Sequence, residues 1–188
     1  MSDQPTDEAV LLETLRDAQR LGFFGAAPIE QAMAHARQFV DAIAAGPLPG
    51  RVVDIGSGGG LPGLVVADVL RSSVVELIDR REKRTDFLER AVRRLGLSHV
   101  RVRCADVAQV ARDVERGVAP AADVVTARGF GPPEATLRLA SRLLNAGGRI
   151  VISEPPTGER WAPELLDELG LLLERAPGVA VFVRPPAR

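Results

Sequence analysis

The stretch Val52-Val53-Asp54-Ile55-Gly56-Ser57-Gly58-Gly59-Gly60-Leu61-Pro62-Gly63 decides how this chain is read. Residues 52–55 are mostly apolar and β-branched, the pattern of a short buried strand, and the glycine run after them is a turn stripped of side chains. Glycines 56, 58 and 60 stand two apart after Asp54, giving acid-x-Gly-x-Gly-x-Gly. Each missing side chain lets backbone approach a ligand and permits positive φ. A helix expected over residues 64–70 points its first N–H groups at the same place, which suits a carboxylate or phosphate. A cofactor is therefore expected over this turn, with Asp54, Gly56, Ser57, Gly58, Gly60 and Leu61 as candidate contacts.

The chain around that turn has the length of one domain, 188 residues, enough to bury a substantial core. With 46% hydrophobic and 26% charged residues it is neither disordered nor fibrous. No run approaches membrane-spanning length, and the acidic start resembles no signal peptide, so a soluble, cytoplasmic protein is expected. A single cysteine, Cys104, excludes an internal disulfide and reads as a small buried residue at a strand end. Two separated histidines leave no metal-ligand cluster, so no metal is expected.

Short β-branched segments recur at residues 52–55, 74–78, 100–102, 123–126 and 149–153. Helix-period segments lie between them at 64–70, 82–95, 107–116 and 133–144. The last opens on Pro133 in its first turn and is expected to stop at Asn145-Ala146-Gly147-Gly148. Such alternation argues for a parallel sheet with helices on both faces. After Ser153 the rhythm changes: a helix over 163–169 leads to strands at 171–174 and 179–183 joined by Ala176-Pro177-Gly178. So short a connection makes those two strands antiparallel. A parallel sheet closed by one C-terminal hairpin is the α/β, seven-stranded, Rossmann-like arrangement of class I methyltransferases; a nicotinamide-binding Rossmann domain continues with parallel strands. Residues 1–46 are helical in pattern and too short to bury their own core, so they are expected to form an N-terminal helical cap on a domain spanning 47–188.

Gly58-Gly59-Gly60-Leu61-Pro62-Gly63 also satisfies the dinucleotide fingerprint. Against that reading, an acid and a further glycine precede it, and Pro62 removes an N–H from the helix start that a pyrophosphate uses. Pattern alone therefore leaves a nucleoside cofactor of unspecified kind. Asp79, nineteen residues past Gly60, closes the next strand. A carboxylate there accepts from ribose hydroxyls, or alternatively caps the following helix.

Charge is unevenly spread. Residues 1–17 hold five acids and one base, whereas residues 80–103 hold nine bases and three acids. Helix pairs Glu89 with Arg93 and Asp86 with Arg90 are expected at i,i+4. A single arginine on such a helix reads as solvated surface, but nine bases together suit a phosphate backbone.

These residues resemble a family. The stretch from Asp54 to Gly63, Asp79 followed by Lys83-Arg84-Thr85-Asp86-Phe87-Leu88, and Val125-Thr126-Ala127-Arg128 look like the bacterial small-subunit rRNA 7-methylguanosine methyltransferases, the glucose-inhibited division protein B family. The likeness covers about residues 50–150. It implies S-adenosyl-L-methionine as methyl donor, guanine N7 of ribosomal RNA as acceptor, and rRNA or the small ribosomal subunit as partner. By position it implies Gly56 and Leu61 at the methionine end of the cofactor, Asp79, with Arg80 beside it, at the ribose, Ala105 and Asp106 at the adenine, and Arg128 lining the cofactor or acceptor side. Guanine N7 carries an in-plane lone pair and loses no proton on methylation, so no classical catalytic residue is expected and alignment supplies most of the acceleration.

The chain departs from the family pattern on the acceptor side. Where the family shows Leu-Lys-Gly after the fifth strand, this chain has Ile152-Ser153-Glu154-Pro155-Pro156, and a carboxylate there repels phosphate. The N-terminal Asn-Leu-Thr-Ala-like segment is missing, although His35 stands where a family histidine does. For stacking on a base the chain offers Phe23, Phe24, Phe130 and Trp161. An acceptor other than rRNA, or a cofactor-binding protein without catalysis, are the alternatives these departures raise.

Overall fold

The computed structural model describes residues 7–154 and 161–186. The acidic Asp3 and the Pro155-Pro156 pair fall outside the described residues. Two helices, α1 (Glu8–Arg20) and α2 (Ile29–Ala44), lead into β1 (Arg51–Ile55), α3 (Gly63–Val69), β2 (Val74–Asp79), α4 (Glu82–Arg94), β3 (Val100–Cys104) and α5 (Val107–Glu115). There follow β4 (Ala122–Ala127), α6 (Pro133–Ser141), β5 (Leu144–Ser153), α7 (Pro163–Leu169), β6 (Leu172–Ala176) and β7 (Val179–Val183).

The seven strands form one sheet in the order β3-β2-β1-β4-β5-β7-β6. Neighbours from β3 to β5 are parallel, and β7 runs antiparallel to both β5 and β6, as the short turn after Ala176 demands. Alternation along each strand sorts the side chains between two cores. Val52, Val124, Val151, Val179 and Val181 face α1, α2, α3 and α4. Their neighbours Val53, Val125, Ile150, Ile152, Ala180 and Phe182 face α5, α6 and α7. The sheet is therefore buried on both sides, which is why its central strands read as nearly unbroken apolar runs.

The sequence-based boundaries shift in one place with a physical cause. The helix from Pro133 stops at Ser141, and Leu144 already pairs with Ala122 in the sheet. The next pairs are Val124 with Arg149, so the stretch between Leu144 and Arg149 is longer than its partner and bulges. Asn145-Ala146-Gly147-Gly148 is that bulge and not a helix stop. Asp123 holds it in place: its Oδ1 accepts from Asn145 Nδ2 at 3.0 Å, and its Oδ2 accepts from the N–H groups of Gly50 and Arg51 at 2.8 and 2.9 Å. A second correction concerns Cys104, which is exposed. It closes β3, an edge strand with no partner on its outer side, so the apolar reading of a strand-end cysteine fails there.

The two N-terminal helices share the core of the sheet. Leu11, Leu15, Ile29, Met33, Phe39 and Ile43 are buried in the same cluster as β1 and α3. Arg149, almost fully buried, fastens the end of α2: its guanidinium donates to the carbonyls of Ile43 at 3.0 Å and Pro47 at 2.7 Å. His35 Nε2 adds a bond at 3.0 Å to the carbonyl of Gly178 in the β6–β7 turn. The Ile43 carbonyl already accepts from the Gly46 N–H at 3.2 Å, so the arginine adds a second bond there and gives the Pro47 carbonyl, in the turn after α2, a partner. Arg149→Ala is expected to cost about 2–4 kcal/mol in urea unfolding, because it removes the bonds to Ile43 and Pro47 and opens a cavity. A loss below about 0.5 kcal/mol would show that α2 is held by apolar packing alone.

Candidate functional site

The strand order reverses at β1, between β2 on one side and β4 on the other. In an open α/β sheet such a switch point leaves a crevice outside the carboxyl ends of the strands. A groove of about 460 Å³ occupies it. Its walls come from the carboxyl ends of four strands: Gly56 after β1, Asp79 and Arg80 at β2, Ala105 and Asp106 after β3, Phe130 after β4.

Asp79 is buried at the floor of this groove. Its Oδ2 accepts from the N–H of Gly58 at 3.0 Å and faces Arg84 Nη1 at 3.4 Å; its Oδ1 accepts from the N–H of Arg81 at 2.9 Å. One carboxylate thus ties the glycine turn to the end of β2. A carboxylate has about four acceptor positions, so capacity remains for a hydroxyl of a ligand. Helix capping does not compete for it, since Arg81 is the cap of α4 and no side chain bonds there. The capping carboxylate is Asp106, whose Oδ1 accepts from the N–H of Ala108 at 2.7 Å at the start of α5.

Asp54 lies deeper. Thr126 Oγ1 donates to its Oδ1 at 2.6 Å, and Ser57 Oγ donates to its main-chain carbonyl at 2.9 Å. The far oxygen lies so close to the start of α3 that a Cβ at residue 63 would stand 2.6 Å from it, which explains the last glycine of Gly-Leu-Pro-Gly. The first turn of α3 is thereby turned to a protein carboxylate. Burial raises the Asp54 pKa from 3.8 to about 6; hydrogen bonding from Thr126, Ser57 and Gly63 opposes the shift and the negative Asp79 adds to it. Arg128, half-buried just beyond β4, has its own pKa lowered by burial, with Asp54 as the opposing charge. No hydrogen bond or ion pair to the Arg128 guanidinium is present among the described residues.

The candidate residues therefore separate into two sets. Gly56, Asp79, Arg80, Ala105 and Asp106 line the groove together. Asp54, Ser57, Gly58 and Gly60 lie beneath it, and Leu61 is part of the apolar core packed with α3 and α4. Arg128 sits near Asp54 and outside the groove lining. Sequence reasoning did not single out Arg81, Val107, Gly129 or Leu139 for the lining, and it named Phe130 only as an aromatic. Arg81, with Arg84 on the next turn, reaches the groove from the start of α4 and Gly129 from the turn after β4, while Val107 and Leu139 reach it only through the packing of α5 and α6, which no local signal marks. Gly56 adopts φ +66°, and a Cβ there would lie 2.5 Å from the Phe130 ring.

The charge pattern is also reshaped by folding. Of the nine bases between Arg80 and Arg103, Arg84 meets Asp79, Arg93 meets Glu89 at 3.8 Å, Arg94 meets Asp17 of α1 at 2.8 Å and Arg103 meets Asp113 at 3.0 Å. Arg80, Arg81, Lys83, Arg90 and Arg101 are exposed and have no acidic partner among the described residues. The expected Asp86–Arg90 pair is not among the ion pairs of the described residues. Glu154 is not a free carboxylate: Trp161 Nε1 donates to its Oε1 at 3.0 Å. Among the described residues there is no cluster of three metal-ligating side chains and no helix long and apolar enough to cross a membrane.

The GidB family, rRNA small subunit methyltransferase G, matches residues 29–158. The chain belongs to this family. It is 35% identical over 144 residues to the ribosomal RNA small subunit methyltransferase G of Clavibacter sepedonicus, covering 76% of this chain and 64% of that protein. To the protein of the same name from Ralstonia nicotianae it is 35% identical over 142 residues, 69% of this chain and 60% of the relative. The chain thus spans a little under two thirds of the length of these curated relatives. Among solved structures it resembles a SAM-dependent O-methyltransferase of Thermotoga maritima, with TM-score 0.63 and 16% identity over 93% of this chain and 72% of that one. A precorrin-6y C5,15-methyltransferase of Geobacter metallireducens gives TM-score 0.58 and 15% identity over 79% of this chain and 85% of that one. The sheet is therefore the seven-stranded fold of class I methyltransferases, as the C-terminal hairpin led one to expect.

The raised pKa of Asp54 gives a pH test of the site. Its folded value of about 6 lies above the ordinary 3.8, so the folded chain holds this proton more tightly than the unfolded chain. The resulting stability is fully present below pH 3.8 and is lost as pH rises through 6. Asp54→Asn removes the titration. Urea unfolding between pH 4 and 7 is expected to show the wild type losing up to about 3 kcal/mol relative to that variant. Parallel pH profiles for the two proteins would contradict the assignment.

Proposed function

We propose that this chain is an S-adenosyl-L-methionine-dependent methyltransferase that modifies guanine N7 in small-subunit ribosomal RNA, acting in the cytoplasm on rRNA or on the small ribosomal subunit. The observation that carries the reading is the groove at the switch point, in a chain of this family, with the Asp79 carboxylate at its floor and acceptor capacity to spare. Residues fit the cofactor in chemistry as well as in place. Asp79 suits a ribose diol, the Ala105-Asp106 edge with Val107 suits an adenine, and the Gly56 backbone with Arg128 nearby suits a carboxylate-bearing tail.

When bound, S-adenosyl-L-methionine supplies an electrophilic methyl group on a sulfonium. The protein contributes position and exclusion of water. Guanine N7 has a lone pair in the ring plane and no proton to release, which suits a groove whose lining carboxylates, Asp79 and Asp106, among the described residues already accept backbone N–H groups. The same argument disfavours hydroxyl and amine acceptors, which must lose a proton. The unpaired cations Arg80, Arg81, Lys83 and Arg90, beside the groove mouth and along α4, support a polyanionic acceptor. With Glu154 held by Trp161, the departure that raised a non-RNA acceptor has a structural role of its own.

Incubation with labelled methyl donor and either unmodified rRNA or small subunits tests the reading. Label in 7-methylguanosine is expected, and label only in small metabolites would replace rRNA as acceptor. Asp79→Ala is expected to weaken cofactor binding by calorimetry roughly tenfold or more, since a charged hydrogen bond contributes about 1.5–3 kcal/mol. Lys83→Ala combined with Arg90→Ala should leave cofactor affinity unchanged. The same pair should lower RNA affinity and reduce the slope of log K against log salt by about 2.

A further inference from the structure

Beside the groove lies a second cavity, of about 80 Å³, between the ends of β4 and β5 (Ala127, Ile152) and the start of α6 (Pro133, Thr136). Gly129 and Phe130 line both spaces, so the Phe130 ring is the partition between them. The ring rests on the backbone of Gly56, where any Cβ would collide with it. It is partly exposed, and it is carried on a loop with glycine on both sides, Gly129 at φ +60° and Gly131.

The remaining aromatics proposed for base contact are committed elsewhere. Phe23 packs edge-on against Phe87 at 5.6 Å, and Phe24 lies on the backbone at Gly59. Trp161 packs on Phe182 at 4.7 Å and bonds Glu154. Phe130 is the one aromatic ring in the groove lining among the described residues. An 80 Å³ cavity holds no purine, since a benzene ring already occupies an apolar cavity of about 150 Å³. A base seated between the groove and the end of β4 takes space that the Phe130 ring now fills.

We propose that Phe130 is the acceptor-contacting residue: its ring closes the passage between the cofactor groove and the cavity at the ends of β4 and β5, and the target purine displaces it and stacks on it. This rests on the reading that the acceptor is an RNA base. Bases held outside a helical stack are read by stacking on flat side chains. Phe130 thereby selects a planar acceptor while the rest of the lining is left to the cofactor.

Phe130→Leu keeps apolar bulk and removes the aromatic face, whereas Phe130→Trp keeps a face. The two variants and the wild type are compared in three measurements, with melting curves to verify folding: calorimetric binding of S-adenosylhomocysteine, affinity for an unmethylated small-subunit rRNA fragment in its presence, and methylation KM and kcat. The expected result is cofactor affinity within about twofold throughout. RNA affinity and KM worsen about tenfold in Phe130→Leu and recover in Phe130→Trp. Equal RNA parameters in Phe130→Leu and wild type overturn the assignment, and so does a cofactor affinity that falls in step with them. A wild type that methylates no rRNA preparation overturns the acceptor reading itself, and the Phe130 role with it; an active wild type with an indifferent Phe130→Leu overturns the Phe130 role alone.

Discussion

A carboxylate removed from water at the junction of β1, β4 and the glycine turn constrains everything around it. Asp54 is almost completely buried, and one of its two oxygens has no hydrogen-bond partner among the described residues, so burial holds its proton far more tightly than water does. Thr126 reaches it from β4, Ser57 bonds its carbonyl from the turn, and the start of α3 closes over its far oxygen. These contacts hold the strand ends, the turn and the helix in one geometry. The groove above inherits that geometry, because its floor is the next layer of the same turn, where Gly58 bonds Asp79.

The electrostatics of the surface follow a similar economy of position. Acidic α1 folds back beside α4, and Asp17 takes up Arg94, while Arg16 and Arg20 are matched by Glu30 and Glu13. Exposed pairs of this kind add little stability, but they neutralise one end of α4. Of the cations that remain unmatched, Arg80 and Arg81 line the groove, Lys83 and Arg90 follow along α4, and Arg101 stands on β3. A basic stretch in the sequence thus becomes a shorter strip whose place is set by which acids fold against it.

Much of the architecture is legible in the sequence because its causes are local. Alternation of Val52 and Val53, or Val124 and Val125, across two cores leaves apolar runs, and the brevity of Ala176-Pro177-Gly178 forces an antiparallel hairpin. Asp79 is likewise visible, as the acid closing a strand at a fixed distance from a glycine turn. Leu144 and Cys104 depart from their sequence-based reading for a shared reason. Whether a residue pairs across a bulge, or stands on an edge strand, depends on a neighbour that is remote in sequence.

The order of apolar runs and turns by itself determined the class of sheet, the place of the nucleoside-type turn and the acid that faces it, since each depends on residues within one or two elements. Only the tertiary structure decided which glycines meet open space and which meet Phe24, Leu64 or Asp54, and which arginines stay unpaired. It also decided that Phe130 of the four offered aromatics stands in the groove. Those outcomes depend on contacts between segments far apart in the chain, and a one-dimensional pattern carries no record of which side chains will fill the same volume.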